Sequence, residues 1–450
     1  IYERKKIFMK RVITYGTYDL LHFGHLKLLE RAKKMGDYLI VGVTSDDYDK
    51  TRGKINVQQS LMERIEAVRA TGLADKIIVE EYEGQKIDDI KKYGVDIFTV
   101  GSDWKGKFDY LNEYCEVIYL ERTKGVSSSE IRAAKRALSM GLVGNHVSLI
   151  NKFQAEDIYV NGVEIIGVCT DKIENMSNAV KELSIVTENY DELLKSVDSV
   201  YIVSDCNIRY EQIKKALLNG KHVLCESPIC LETKQCQELV KLAKEKKCIL
   251  MESIKTAYAT AYNRLILLLK LGKIGKVLSI EANCTSIKEN KSNNEICSLK
   301  EWGPTALLPI FDFFGTNYKS KTIITRLLNK EGRNDAFTRI NFIYENAVAT
   351  INVAEKAKKE GDLVITGTDG YLYVPAPWWK TEYFEVRYEN SSKNKRYYYQ
   401  LDGEGIRYEM LMFIRSIQEK KNLSSIDINT TIEITKIISE FEKGTDVIEI

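Results

Sequence analysis

The apolar run Val12-Ile13-Thr14-Tyr15 is followed within seven residues by His22-Phe23-Gly24-His25, and that succession constrains the fold of this chain more than any other feature. An apolar run followed by a turn and an amphipathic stretch reads as a buried parallel strand feeding a helix. A His-x-Gly-His turn at the junction aims two imidazoles and the helix's unbonded N–H groups at one point, which makes an anion site. Either histidine alone would read as an incidental residue near a helix start. Only four histidines serve the 450 residues, and two of them share this turn, so the implied ligand is a polyphosphate.

Apolar runs alternate with amphipathic segments through the first third of the chain. Runs at 11–15, 38–43, 77–79, 96–100 and 117–120 enclose helical patterns at 24–35, 60–72 and 85–93. This alternation predicts βαβ units and a doubly wound parallel sheet, in which ligands lie at the carboxyl ends of strands where the strand order reverses. Charge is balanced, with 66 basic and 64 acidic residues, so no net field draws the chain to nucleic acid or an anionic membrane. No apolar run approaches the roughly 18 residues of a membrane span, and the segment Ile1-Tyr2-Glu3-Arg4-Lys5-Lys6 lacks the hydrophobic stretch of a signal peptide. The nine cysteines are odd in number and form no CxxC pair, which suits thiols in a reducing, cytoplasmic setting.

The string Thr14-Tyr15-Gly16-Thr17-Tyr18-Asp19-Leu20-Leu21-His22-Phe23-Gly24-His25 resembles the nucleotide-binding signature of the nucleotidyltransferases, above all the glycerol-3-phosphate cytidylyltransferases. Three further segments match. Gly101-Ser102-Asp103-Trp104-Lys105-Gly106-Lys107 offers an aromatic face, a carboxylate and a cation after the fourth strand. Arg122-Thr123-Lys124-Gly125-Val126-Ser127-Ser128-Ser129 resembles the family's Arg-Thr-x-Gly-Ile-Ser-Thr-Thr segment. Lys50-Thr51-Arg52-Gly53-Lys54 is a basic loop beyond the second strand, followed by Met62-Glu63-Arg64.

The resemblance implies a catalytic set of His22, His25, Arg122 and a loop lysine, Lys54 or Lys50. Tyr15, Gly16, Thr17, Gly24, Lys50, Gly101, Arg122, Thr123, Ser127, Ser128 and Ser129 are then expected around CTP, and Asp19, Arg64, Asp103, Trp104 and Lys107 around a polyol phosphate. There is no serine–histidine–acid arrangement and no obvious nucleophile. The expected reaction is in-line attack of the substrate's phosphate oxygen on the α-phosphorus of CTP, with Mg²⁺ bridging phosphate oxygens and no general base required.

From about residue 137 a second αβ pattern begins. Strand-like runs at 138–143, 163–169, 199–203 and 222–225 are separated by helical segments such as 206–219 and 232–246, and beyond 257 longer aromatic-rich strands predict an open, largely antiparallel sheet with helices on one face. The expected architecture is therefore α/β throughout: a cytidylyltransferase domain at 1–133, a Rossmann-like domain at 137–256 and an open-sheet α+β domain at 257–450. Gly220-Lys221-His222-Val223-Leu224-Cys225-Glu226-Ser227-Pro228 resembles the Glu-Lys-Pro segment of the glucose–fructose oxidoreductase family, whose members bind NAD(P) and commonly pair through the open sheet. A homodimer is the implied assembly.

The positions that should carry that second activity depart from the family. Ser227 occupies the place of the catalytic lysine between Glu226 and Pro228. Gly144 is followed two residues on by His146 where a second fingerprint glycine belongs, and Pro309 takes the place of a substrate-side aspartate. Lys255 is the remaining candidate proton donor. The expectation is a cytidylyltransferase making a CDP-polyol for cell-wall or capsule polymers, whose second half no longer binds NAD(P) productively. Two alternatives are a bifunctional enzyme whose second half reduces a ketose phosphate, and a non-catalytic nucleotide-binding regulator.

Overall fold

The computed structural model describes residues 9–51, 57, 59–82, 84–121, 138–160, 162–289, 292, 296–399 and 401–450, without the side chains of Lys50, Thr51 and Asp402. The chain divides into two compact units, Ile1–Arg136 and Ala137–Ile450.

In the first unit, five apolar runs become parallel strands: β1 (Arg11–Gly16), β2 (Tyr38–Thr44), β3 (Lys76–Glu80), β4 (Ile97–Gly101) and β5 (Glu116–Leu120). Their order is β3-β2-β1-β4-β5. Both sheet faces are covered, which is why the runs are continuously apolar rather than alternating. Val12, Leu39, Val41 and Val43 pack on one face with Leu29, Ile65 and Val68, while Ile13, Ile40 and Phe98 pack on the other with Ile90 and Leu111. Each such side chain taken fully from water contributes roughly 2 kcal/mol. The helices are α1 (Phe23–Lys33), α2 (Asp46–Thr51), α3 (Leu61–Ala70) and α4 (Gln85–Tyr93). The segment expected as a loop around Lys50 is instead the end of α2. Helix α3 starts at a capping box, with Ser60 and Glu63 each satisfying the other's backbone N–H.

The second unit holds two sheets. The first has six parallel strands, β6 (Leu138–Val143), β7 (Val163–Cys169), β8 (Ile185–Thr187), β9 (Ser199–Ile202), β10 (His222–Glu226) and β11 (Leu250–Ser253), in the order β11-β10-β9-β6-β7-β8. The second has nine strands: β12 (Val277–Thr285), β13 (Ser320–Asn329), β14 (Asn334–Ile343), β15 (Val348–Ala354), β16 (Leu363–Gly367), β17 (Tyr371–Val374), β18 (Tyr383–Arg387), β19 (Lys395–Tyr398) and β20 (Val447–Glu449). It is mixed: β12 pairs parallel with β15 and β13 pairs parallel with β20, whereas the remaining pairs are antiparallel. The helix Ser298–Phe314 packs on β12, β14 and β15, and Pro309 lies buried inside it. Among the described residues no helix is long and apolar enough to cross a membrane.

Candidate nucleotidyl-transfer site

Strand order places the site. The chain runs outward from β1 through β2 to β3, then returns to the other side of β1 for β4 and β5. Between the carboxyl ends of β1 and β4 the connections diverge, opening the crevice in which such sheets hold ligands. His22 is the N-cap of α1 at that end: its Nδ1 accepts the Gly24 N–H at 3.1 Å. His25 answers as the third residue of the helix, its Nδ1 taking the His22 N–H at a longer 3.5 Å. Two histidines thus form the reciprocal box usually made by a serine and a glutamate. Their rings stack at 3.9 Å between centroids. With each Nδ1 held as an acceptor by this hydrogen-bond assignment, the proton of a neutral imidazole lies on Nε2, the tautomer that can donate to a phosphoryl oxygen.

The turn leading to His22 is conformationally demanding. Tyr18 and Leu20 have φ of +54° and +48°, a region that side chains with a Cβ disfavour. Tyr18 is buried, its ring edge-on to His25 at 5.4 Å. A Cβ on Gly16 would come within 3.0 Å of that ring, so the ring packs closely over the glycine. Gln59 fixes the turn from outside: its N–H donates to Asp19 Oδ1 at 2.9 Å and its Oε1 accepts the Leu20 N–H at 2.7 Å.

Thr17 and Arg64 belong to a second network beneath the site. Thr17 Oγ1 donates to Asp49 Oδ1 at 2.8 Å. Arg64 has no exposed side-chain surface, and its guanidinium donates to the carbonyls of Gln59, Thr17 and Thr44 and to Asp46, with Asp49 at 3.6 Å. The guanidinium expected beside a substrate therefore ties together the chain beyond β1, β2 and α2, positioning the turn instead of presenting a charge. Tyr15 is likewise drawn inward. Its hydroxyl donates to Asp89 at 2.9 Å, burial and then that carboxylate raise its pKa, and Lys86 Nζ lies 4.8 Å from its ring.

At the end of β4, Gly101 leads into the short turn Ser102–Trp104. Trp104 packs on Phe108 at 5.9 Å, and Lys107 Nζ lies 5.1 Å from the Trp104 ring, with Asp103 exposed beside them. Tyr119 of β5 steadies this loop, accepting the Phe108 N–H and donating to Asp109. The structure thus brings together His22, Gly24, His25, Asp19 and Thr17 in and around one turn, and puts Gly101, Asp103, Trp104 and Lys107 at the end of the neighbouring strand. Lys54, Arg122, Thr123, Ser127, Ser128 and Ser129 lie outside the described residues, as does the side chain of Lys50. Gln59 was not singled out in sequence; its place directly before the Ser60 capping box was the available signal.

In the second unit, Gly144 follows β6 with φ of +132°, and a Cβ there would meet the Ser204 nitrogen and Val203 carbonyl carbon at 2.6 Å. The glycine required for the turn is retained. His146, two residues on, begins the helix Val147–Glu156 without a side-chain cap. Ser227 Oγ donates to Glu252, and Glu226 accepts from Tyr201 and Ser253. Pro228 follows a cis peptide bond, and its carbonyl accepts from Arg209 at 2.9 Å. Burial raises Glu252 to about 7. Lys255 is ion-paired with Glu404 at 2.8 Å.

A doubly wound sheet with paired histidines at the helix start beyond its first strand defines a nucleotidyltransferase, fused here to an oxidoreductase-type fold. Residues 13–134 match the family described as cytidylyltransferase-like, and residues 139–254 match the oxidoreductase family with an NAD-binding Rossmann fold. Over 124 residues the chain is 52% identical to glycerol-3-phosphate cytidylyltransferase of Bacillus spizizenii, covering 28% of this chain and 95% of that protein. It is 49% identical to the enzyme of that name from Staphylococcus aureus over 128 residues, covering 28% of this chain and 93% of that protein. The chain belongs to the cytidylyltransferase family.

The remainder is similar in fold to a 3-ketoreductase from Actinomadura kijaniata solved with NADP and TDP-benzene, at 15% identity and a TM-score of 0.61, covering 70% of this chain and all of that one. It is also similar to a UDP-N-acetylglucosamine 3-dehydrogenase from Acidithiobacillus ferrooxidans, at 15% identity and a TM-score of 0.58, covering 69% of this chain and 99% of that one.

Proposed function

We propose that the first unit transfers CMP from CTP to glycerol 3-phosphate, giving CDP-glycerol and pyrophosphate for polymer synthesis at the cell wall or capsule. The stacked His22–His25 pair at the start of α1 carries this reading, because two Nε2 donors beside a helix N-terminus suit the charge that gathers on an α-phosphate under attack. A phosphate monoester is largely dianionic at neutral pH and attacks without a general base. The work left to the protein is alignment and charge stabilisation. His22 and His25 donate to oxygens of the α-phosphate and the departing pyrophosphate, while Asp19 and Gln59 keep the turn in place. Trp104 and Lys107 flank the strand end at which the acceptor would enter. Arg122, Lys50 or Lys54, and the Ser127–Ser129 run are proposed as further phosphate ligands.

Among the described residues no group of three or more histidines, cysteines and carboxylates could hold a metal ion. Mg²⁺ is proposed to enter with CTP, where it would neutralise charge on the triphosphate. In the second unit we propose an oxidoreductase fold without hydride transfer: Ser227 supplies neither the charge nor the proton of a lysine, and Lys255 is engaged by Glu404. Its open sheet is the proposed dimer surface.

The acceptor is tested by ³¹P NMR of reactions holding CTP, Mg²⁺ and glycerol 3-phosphate, ribitol 5-phosphate or another polyol phosphate. CDP-glycerol as the dominant product supports the assignment. A faster reaction with a longer polyol phosphate would replace glycerol 3-phosphate as acceptor.

A further inference from the structure

Three lysines from distant segments of the second unit converge on one carboxylate. Lys152 comes from the helix Val147–Glu156, Lys255 from the turn after β11, and Lys380 from the loop after β17. Glu404 Oε2 receives Lys255 at 2.8 Å and Lys152 at 3.2 Å, and Oε1 receives Lys380 at 2.7 Å. The backbone is shaped to make this happen. Gly403, Glu404 and Gly405 have φ of +58°, +53° and +93°, three successive left-handed residues of which the central one bears a side chain. A Cβ at 403 would collide with the Glu156 carboxylate, and one at 405 would come within 2.7 Å of the Lys255 carbonyl, so both flanking glycines are required for the turn to approach so closely.

The charges do not balance. Among the described side chains, three ammonium groups converge on the single carboxylate of Glu404. Glu156 is committed to Arg407. Burial, followed by the charge of Glu226, pushes the Glu409 carboxyl near Lys255 well above the usual carboxylate range. Burial alone would also raise Glu404, yet the lysine hydrogen bonds hold it down to about 2, so its charge is never given up near neutrality. A carboxylate offers one charge and two oxygens to three donors; a phosphate dianion offers two charges and three oxygens. Lys255 also follows the carboxyl end of β11, the edge at which sheets of this type receive ligands.

We infer that Lys152, Lys255 and Lys380 form a binding site for a dianionic phosphate group, free or at the end of a monoester, which Glu404 occupies as an internal stand-in until the ligand displaces it. The site lies wholly within the second unit and does not depend on the acceptor proposed for the first.

The experiment is isothermal titration of the full chain with inorganic phosphate and, separately, with glycerol 3-phosphate. It compares the unmodified protein, Glu404→Gln, and Glu404→Gln combined with Lys255→Ala and Lys380→Ala. Removing the competing carboxylate should tighten binding of at least one of the two ligands about tenfold or more, and the lysine substitutions should abolish the gain. Lys152→Ala, at a half-exposed position, gives a variant with little risk to folding and should reduce the gain on its own. Tighter binding of inorganic phosphate marks the free ion as the ligand, and tighter binding of glycerol 3-phosphate marks an organic monoester. If Glu404→Gln binds neither more tightly, or if the gain survives loss of the lysines, the site does not exist.

Discussion

Arg64 shows how a charged side chain can serve a site without touching its ligand. With no exposed side-chain surface, it bonds the carbonyls that leave β1 and β2 and faces Asp46 and Asp49. Replacing it with Met would leave these buried carbonyls without their donor and remove the cation beside Asp46 and Asp49, a loss of about 3–5 kcal/mol. Chemical denaturation of Arg64→Met measures it; a loss below about 1 kcal/mol would mean that water satisfies those groups. The resemblance to the cytidylyltransferases pointed to Arg64 as a substrate-side residue, and a charged side chain is ordinarily expected at a surface or a ligand. Its actual partners are mostly backbone carbonyls, which leave no trace in side-chain identity. Tyr15 shows the same limit: its hydroxyl partner Asp89 is 74 residues away and leaves no mark on the local pattern. His22 and His25 were legible because their separation alone puts both on one turn.

At the level of elements, glycines separate folding from binding. Gly42 of β2 lies opposite Tyr15 of β1, and a Cβ there would fall 2.2 Å from the tyrosine ring. Gly42→Ala should therefore destabilise the first unit by about 1–3 kcal/mol through overpacking. At the end of β4, a Cβ on Gly101 would meet only a Leu28 methyl, at 4.0 Å. Gly101→Ala should melt like the unmodified protein and lose CTP affinity, because the open space beside it is proposed to hold the ligand. Equal CTP binding would remove Gly101 from the site. The parallel strands of the first unit were legible because burial on both faces makes them uniformly apolar. Helix α2 was not, since Asp46-Asp47-Tyr48-Asp49-Lys50-Thr51 has no apolar period and owes its place to Arg64. Strand β8, three residues long, falls below any periodic signal. The parallel pairing of β12 with β15 in a sheet expected as largely antiparallel joins strands more than 60 residues apart.

At the scale of the whole molecule, the second unit stores acidic groups where ionisation is disfavoured. Burial raises Glu252 from 4.5 to about 7. A raised carboxyl pKa means that the folded state holds its proton more tightly, so this contribution is complete below about pH 4.5 and is lost as pH rises through about 7. The loss amounts to up to about 3 kcal/mol. Glu404 acts in the opposite sense: its depressed pKa supplies stability above about pH 4.5 that disappears as pH falls toward 2. Denaturation of the second unit, followed through Trp302, Trp378 and Trp379, should show stability falling between pH 5 and 8, and Glu252→Gln should flatten that fall. An unchanged slope in the variant would place the titrating group elsewhere.

Chemistry at the histidine turn is tested most directly by pyrophosphate release from CTP, Mg²⁺ and glycerol 3-phosphate by the full chain, with His25→Ala as the comparison. Release should require the acceptor and fall about 100-fold or more in His25→Ala, with CTP affinity largely kept. Release at the unmodified rate in His25→Ala, or release indifferent to the acceptor, would contradict that chemistry.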